Sequence, residues 1–466
     1  MMSNAGQNAP LAPKTATSEP TPPQPKNDNS GFGESVIRLM TRLSMQYGAI
    51  NLSQGFPNEP PPLAARIALA KAVLTGVAEP FSSDEYSSTM TSSLEGQGEE
   101  NPHTPVENLL REVLLSTSVG VDELNQYSPP MGRLDLRQAI ADHYRDIYNY
   151  HMDFDSVTVT LGATEACASA LRTVGKPGDR VVIFEPYHEL YPSQVNIFHM
   201  IPSFVTLRED VSSGKWIFDA AELEKELSGA KVLLLNTPHN PTGKVFTFDE
   251  LSIITNLCVK YDVIIITDEI YEHMTYGKNR GKHIFIPKIF PHVANRTLVC
   301  NSIGKSASAT GWRLGWCITP PSFTDTFRGV HDQLVVMAPH PMQYATLSYF
   351  KLPRSYFSDT LATKYVDRLT KLALCLRKMG FKALDPEGAY YLFANYKQVP
   401  KLGELDPWDA SMFMIKKVGV ACVPGTNFYG SHAAVQNEAQ RYLRFAVCRS
   451  VKDIDLACKK IDDFFK

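Results

Sequence analysis

No two cysteines of the chain have Cys-x-x-Cys spacing, and all eight (167, 258, 300, 317, 375, 422, 448, 458) are scattered, mostly inside apolar runs. A disulfide framework or cysteine-ligated metal is thereby disfavoured, so reduced buried thiols in a cytoplasmic protein without a metal are expected. No uninterrupted apolar stretch is long enough to cross a bilayer. Charge of one sign is also lacking: the formal net charge of -3 gives no footprint for nucleic acid or an anionic membrane. Residues 1–30 contain two lysines, no arginine and much Pro, Asn, Ser and Thr, a disordered tail unlike a signal or transit peptide. No strand leads into G-x-G-x-x-G, which argues against a nicotinamide oxidoreductase, and there is no repeat of solenoid length.

What is present is material for one large and one smaller domain, with 466 residues of which 44% are hydrophobic. Apolar spacing predicts helices over residues 34–47, 63–74, 106–115 and 134–148. Between 78 and 103 the composition turns to Ser, Thr, Glu and Gly without periodicity, a flexible surface insertion. Short apolar strands then alternate with helices, at 157–161, 181–184, 232–235, 263–266 and 298–300. Runs apolar on both faces predict an α/β fold whose mainly parallel sheet is covered by helices on both sides. After Pro320 come helices at 323–336, 345–351 and 358–379, then strands at 389–393, 420–422 and 442–447. A last helix, N-capped by Ser450, carries Val451, Ile454, Ala457, Ile461 and Phe464 on one face, completing a smaller α+β domain.

In such sheets the ligand lies beyond the carboxyl ends of the strands. Lys305 stands there, just after Leu298-Val-Cys300, among Ser302, Ser306, Ser308 and Thr310. Poor hydration favours the neutral amine, a nucleophile toward carbonyls. Arg313 offers a fork for a phosphate and Ser302 a hydroxyl, so an aldehyde-bearing phosphate cofactor, pyridoxal phosphate, is the matching ligand. The first strand leads into Gly162-Ala-Thr-Glu-Ala166, a helix start where Ala163 and Thr164 form a phosphate cradle. The second leads to Tyr187 and His188, flat side chains suited to stacking on a ring. The third ends at Asn240, a neutral donor, and the fourth at Asp268, a buried carboxylate in need of a cation, followed by Tyr271. Upstream, Gly55 permits close approach of backbone to a ligand. Each has an ordinary alternative when taken singly: a surface lysine, a turn glycine, an Asn in a turn, an Asp capping a helix.

The segments INLSQGFP, NQYSPPMG, TLGATEA, NTPHNPTG, TDEIY, SIGKSASATGWRLGW and YLRFAVC, in this order, resemble those of fold-type I pyridoxal-phosphate enzymes. Within that group the chain is similar to class I aminotransferases of the kynurenine, glutamine and methionine branch. The resemblance runs over roughly residues 34–460 without the insertion. It implies pyridoxal 5′-phosphate held covalently by Lys305, which also acts as acid and base, with Asp268 at the pyridinium nitrogen. It further implies Asn240 and Tyr271 at the ring oxygen, and Ala163, Thr164, Ser302 and Arg313 at the phosphate. His188 falls at the stacking position, where relatives more often carry Phe, Tyr or Trp. Tyr127 matches a residue that reaches the phosphate of a second subunit, implying a homodimer. Arg444 matches the arginine that grips the substrate carboxylate, assisted by Gly55 and Asn240. Met337 stands where some kynurenine aminotransferases present a histidine.

The implied division is an N-terminal arm at 31–60 that joins the small domain, a large cofactor-binding domain at 61–335 and a small domain at 336–466. The implied reaction is ping-pong amino transfer from a hydrophobic, aromatic, sulfur-containing or glutamine-like L-amino acid to a 2-oxo acid. Alternatives are β-elimination from cysteine conjugates at the same site, or a non-catalytic descendant that binds a ligand through the inherited pocket. Intact Lys305, Asp268 and Arg313 argue against the latter.

Overall fold

The computed structural model describes residues 33–78, 122–210 and 212–465. The tail and nearly all of the expected insertion, as well as the helix expected at 106–115, lie outside the described residues.

Helix Val36–Gln46 begins at Ser35, whose Oγ accepts from Arg38 N, and leads into the short strand β1 (Ile50–Asn51). The central sheet contains β2 (Val157–Thr160), β3 (Arg180–Glu185) and β4 (Ile201–Thr206). A small antiparallel pair follows, β5 (Arg208–Asp210) with β6 (Lys215–Ile217). The sheet is completed by β7 (Val232–Asn236), β8 (Ile264–Asp268), β9 (Thr297–Ser302) and β10 (Gly315–Ile318). Its order is β2-β10-β9-β8-β7-β3-β4, parallel throughout except for β10, which is antiparallel to both neighbours.

Side-chain alternation explains why these strands read as continuous apolar runs. Leu233, Leu235 and Ile265 pack in one layer with helices Ala220–Leu227 and Phe248–Lys260. Val232, Leu234 and Ile266 pack in the opposite layer with helix Gly162–Val174 and Phe327 of helix Pro321–Val335. Both faces being covered, every residue of β7 and β8 is buried.

The sequence reading misses β4 and β10. β4 (IPSFVT) is an edge strand carrying a proline and a serine and half exposed at its start, so neither apolar pattern emerges. β10 has four residues and is folded into the segment read as the Lys305 loop.

A second sheet, β11 (Tyr391–Asn395), β14 (Tyr442–Ala446) and β13 (Val423–Pro424), is antiparallel, while β12 (Val420–Ala421) pairs in parallel with β1. The strand expected at 389–393 therefore starts two residues later, because Ala389 has φ 56° and turns the chain to donate to Met274 O at 2.9 Å. The strand expected at 420–422 is divided at Cys422 between two partners. Helices Leu361–Lys378 and Val451–Phe465 cover this sheet. Ser450 caps the latter, its Oγ accepting from Asp453 N at 3.2 Å, but Val451 is exposed and its place on the buried face falls to Cys458. Ala338, Tyr349, Leu352 and Phe357 pack with Leu136 and Ile140, so residues beyond the expected boundary at 335 share the core of the larger body. All eight cysteines are free and buried.

Candidate active site

Two adjoining cavities open at the carboxyl edge of β8, β9 and β3. One is lined by Ala163, Thr164, Asp268, Tyr271, Ser302 and Arg313, the other by Gly55, Asn240, Tyr391 and Arg444; Lys305 and His188 line both. Apart from Tyr127, Tyr187 and Met337, the expected site residues thus reach one of two neighbouring spaces, and Lys305 stands between them. Tyr127 is 80% exposed on the surface of the chain.

Lys305 belongs to a single helical turn, Ile303–Ser306, capped by Ser302 Oγ, which accepts from Gly304 N at 3.0 Å. Its Nζ donates to Gly55 O at 2.5 Å, tying the turn to the N-terminal segment. Burial of the amine lowers it to about 8, against the pull of the Cys448 and Asp268 charges. Asp268 ends β8. Burial raises its carboxyl, while the Tyr191 hydroxyl donates to Oδ2 at 2.7 Å and Ile270 N to Oδ1 at 3.3 Å. Tyr271 follows in the next turn, its hydroxyl 2.9 Å from that of Tyr391.

Arg444 is 1% exposed on β14 and makes no ion pair among the described residues. Its Nη1 donates to Asn240 Oδ1 at 3.0 Å and its Nη2 to Ser53 O at 2.7 Å, while Nε has no partner. The guanidinium lies 4.6 Å from the Tyr391 ring centre and 4.9 Å from that of Phe428. A buried cation supported only by neutral oxygens and aromatic faces is a receptor for a carboxylate. Among the described residues Arg313 likewise donates to carbonyls, Nη1 to Thr310 O at 3.2 Å and Nη2 to Leu161 O at 3.5 Å.

Tyr187 is not a stacking group: it is buried against Phe204 with ring centres 5.4 Å apart. His188 reaches the cavity, with Nδ1 enclosed and unpartnered, and burial holds the imidazole neutral by pulling it down to about 3. Met337 does not line either cavity, its Sδ accepting from Ser128 N at 3.0 Å.

Sequence reasoning missed Tyr191, Ser53, Tyr391 and Arg449. Tyr191 lies only three residues past His188, close enough to share its site. Tyr391 alternates with Phe393 on β11, a pattern that identifies the strand but not which side chain meets the ligand. Arg449 is buried and donates to Asn51 O at 2.8 Å and Gln54 O at 3.2 Å, fixing the loop that carries Gly55.

The residues fit pyridoxal 5′-phosphate. Gly162 has φ +77°, and a Cβ there would lie 2.9 Å from Arg313 Nη2, so the start of helix Gly162–Val174 is kept clear beside an arginine that lacks an anion. The enclosed Asp268 would supply the partner for a pyridinium, and His188 lines the same space.

Sheet order, cavity and cofactor fit together define a fold-type I pyridoxal-phosphate enzyme. The model of the family "Aminotransferase class I and II" matches residues 100–461, and the chain belongs to that family. It is a pyridoxal-phosphate-dependent transaminase. Kynurenine–oxoglutarate transaminase 3 of Homo sapiens is 31% identical over 74% of this chain and 79% of its own length. Kynurenine–oxoglutarate transaminase of Dictyostelium discoideum is 26% identical over 94% of this chain and 95% of its own. Among solved structures, N-succinyldiaminopimelate aminotransferase of Mycobacterium tuberculosis superposes with a TM-score of 0.76 at 27% identity, covering 92% of this chain and 97% of that one. The methionine aminotransferase YbdL of Escherichia coli shares the fold, with a TM-score of 0.77 at 24% identity over 95% of this chain and 100% of that one.

Proposed function

We propose that the enzyme moves the amino group of an aromatic or sulfur-containing L-amino acid to a 2-oxo acid by a ping-pong mechanism. The observation that carries this reading is the position of Lys305 between a cavity with an anion cradle and a buried carboxylate and a cavity with a buried, unpaired arginine. When bound, the cofactor supplies an electron sink for the bond broken at the substrate α-carbon.

In this reading Arg444 holds the substrate α-carboxylate through its fork, assisted by Asn240 and the Gly55 backbone. Lys305, whose amine burial lowers to about 8, would move the proton from the substrate α-carbon to C4′ of the cofactor, and in the reverse direction in the second half-reaction. Asp268, oriented by Tyr191, keeps the pyridine nitrogen protonated. Ala163, Thr164, Ser302 and Arg313 take the phosphate, and Asn240 and Tyr271 the ring oxygen. His188 stacks on the ring. The aromatic surroundings of Arg444, and the kynurenine–oxoglutarate activity named for the relatives, support the donor class. We assign residues 61–335 to a cofactor-binding domain, 336–466 to a small domain whose first part, through Phe357, packs onto the larger core, and 31–60 to an arm joined to the small domain; the pairing of β1 with β12 supports the last.

A homodimer in which Tyr127 crosses to the second subunit's phosphate is part of the proposal, supported by the exposure of that aromatic side chain. A cytoplasmic location is proposed on the eight free thiols. Among the described residues no helix is long and apolar enough to cross a membrane.

Borohydride reduction followed by peptide mapping tests the assignment: a phosphopyridoxyl adduct is expected on Lys305, and Lys305→Ala abolishes transamination. An adduct on another lysine overturns it. A panel of amino donors, read by formation of pyridoxamine phosphate, tests the substrate class. Pyruvate released from cysteine conjugates without an acceptor identifies β-elimination instead.

A further inference from the structure

Tyr271 faces the cofactor cavity, but the next two side chains of its turn meet helix Leu134–Tyr148. There His143 Nε2 lies 3.3 Å from His273 Nε2, which is 3.4 Å from Glu272 Oε1. One ligand atom from each of these three buried residues falls within 4.8 Å of the others. Two ligands bound at about 2.0–2.1 Å to a tetrahedral ion sit about 3.3–3.4 Å apart, the spacing of both edges measured here.

The Nε2 of His273 is approached by both the His143 nitrogen and the Glu272 oxygen. A cation at the centre satisfies all three at once. The carboxylate is also set in place as a ligand would be: Tyr148 Oη donates to Oε2 at 2.5 Å and Asn301 Nδ2 to Oε1 at 2.6 Å. A cleft lined by Asp142, His143, Asp146, Lys351, Arg354 and Phe357 reaches the first of the three ligands, His143, from the surface.

We propose that His143, Glu272 and His273 form a binding site for a zinc-like divalent cation, separate from the cofactor site, with a fourth position for water. The ion joins helix Leu134–Tyr148 to the turn that carries Asp268 and Tyr271, so its role is structural. The sequence reading expected no metal on the scattered cysteines; His143 and His273 are 130 positions apart, a separation that leaves no local ligand spacing to read.

The test uses the cofactor-loaded enzyme, stripped with a chelator, titrated with zinc chloride, gel-filtered and measured by elemental mass spectrometry. About one zinc per chain is expected, and cobalt(II) in its place gives the visible bands of a four-coordinate ion. His143→Leu with His273→Leu cuts bound zinc to below about a tenth and removes the cobalt bands while the cofactor absorbance remains. Wild type that retains no stoichiometric metal and shows no cobalt bands overturns the proposal, as does metal that persists in the double variant. Should that variant fail to hold cofactor, the cobalt spectrum and the zinc-dependent rise in melting temperature of the wild type decide alone.

Discussion

The two cavities that meet at Lys305 are built on different principles. The cofactor cavity draws on residues 163–313, nearly all of them at the ends of neighbouring strands of one sheet. The substrate cavity joins the N-terminal segment, the large sheet and the second sheet, so that Arg444 bonds Ser53 across 391 positions and Lys305 bonds Gly55 across 250. The first is fixed by strand registers that the core enforces. The second exists only while the segment around Ser53–Phe56 stays closed onto β14. Changes in the first cavity should therefore destroy chemistry, whereas changes in the second should weaken binding.

The largest effect expected after loss of Lys305 itself is at Asp268. Asp268→Ala removes the carboxylate that Tyr191 and Ile270 N orient, and kcat should fall by about a thousandfold or more, with the donor KM changed far less. A fall confined to KM would show that Asp268 is not at the ring nitrogen. Arg444→Ala comes next. Truncating a buried charged donor typically costs about 2–5 kcal/mol, so kcat/KM should drop at least ~30-fold for every α-amino acid tested. Loss for one donor alone would place the carboxylate elsewhere and merge the two regions into one functional unit.

These two residues also show what was legible in the sequence. Asp268, Lys305 and Asn240 could be read because each ends a buried run, and a run apolar on both faces fixes where its strand stops. β4 was invisible because an edge strand alternates too poorly to register. At the substrate end Gly55 and Arg444 were legible beside Asn240, Arg444 through its motif rather than through any local pattern. Tyr391, Ser53 and Arg449 come together by closure between distant segments, and residue spacing carries no trace of that.

Gly55→Ala probes that closure with a smaller change. A Cβ at Gly55 would lie 2.0 Å from Tyr391 Oη, so either the loop or the tyrosine must move. Overpacking of this kind costs about 1–3 kcal/mol, and the donor KM should rise roughly tenfold while kcat changes little. An unchanged KM would mean that the segment already stands open in solution, contrary to the contact between Lys305 and Gly55.

The smallest effect is on stability, and it spans both regions. His188, which lines both cavities, and His239, beside Asn240, are each held down to about 3 by burial, against about 6.5 in an unfolded chain. Between these values the unfolded state binds more protons. Their contribution is therefore complete above about pH 6.5 and is lost as pH falls toward 3. Both histidines act in the same direction, so the melting temperature should fall by several degrees between about pH 6.5 and pH 4.5. His188→Phe, which keeps a flat ring and removes the titrating nitrogen, should make that slope shallower. An identical slope in the variant would mean that His188 already has a proton at neutral pH, and with it a partner that the folded chain does not provide.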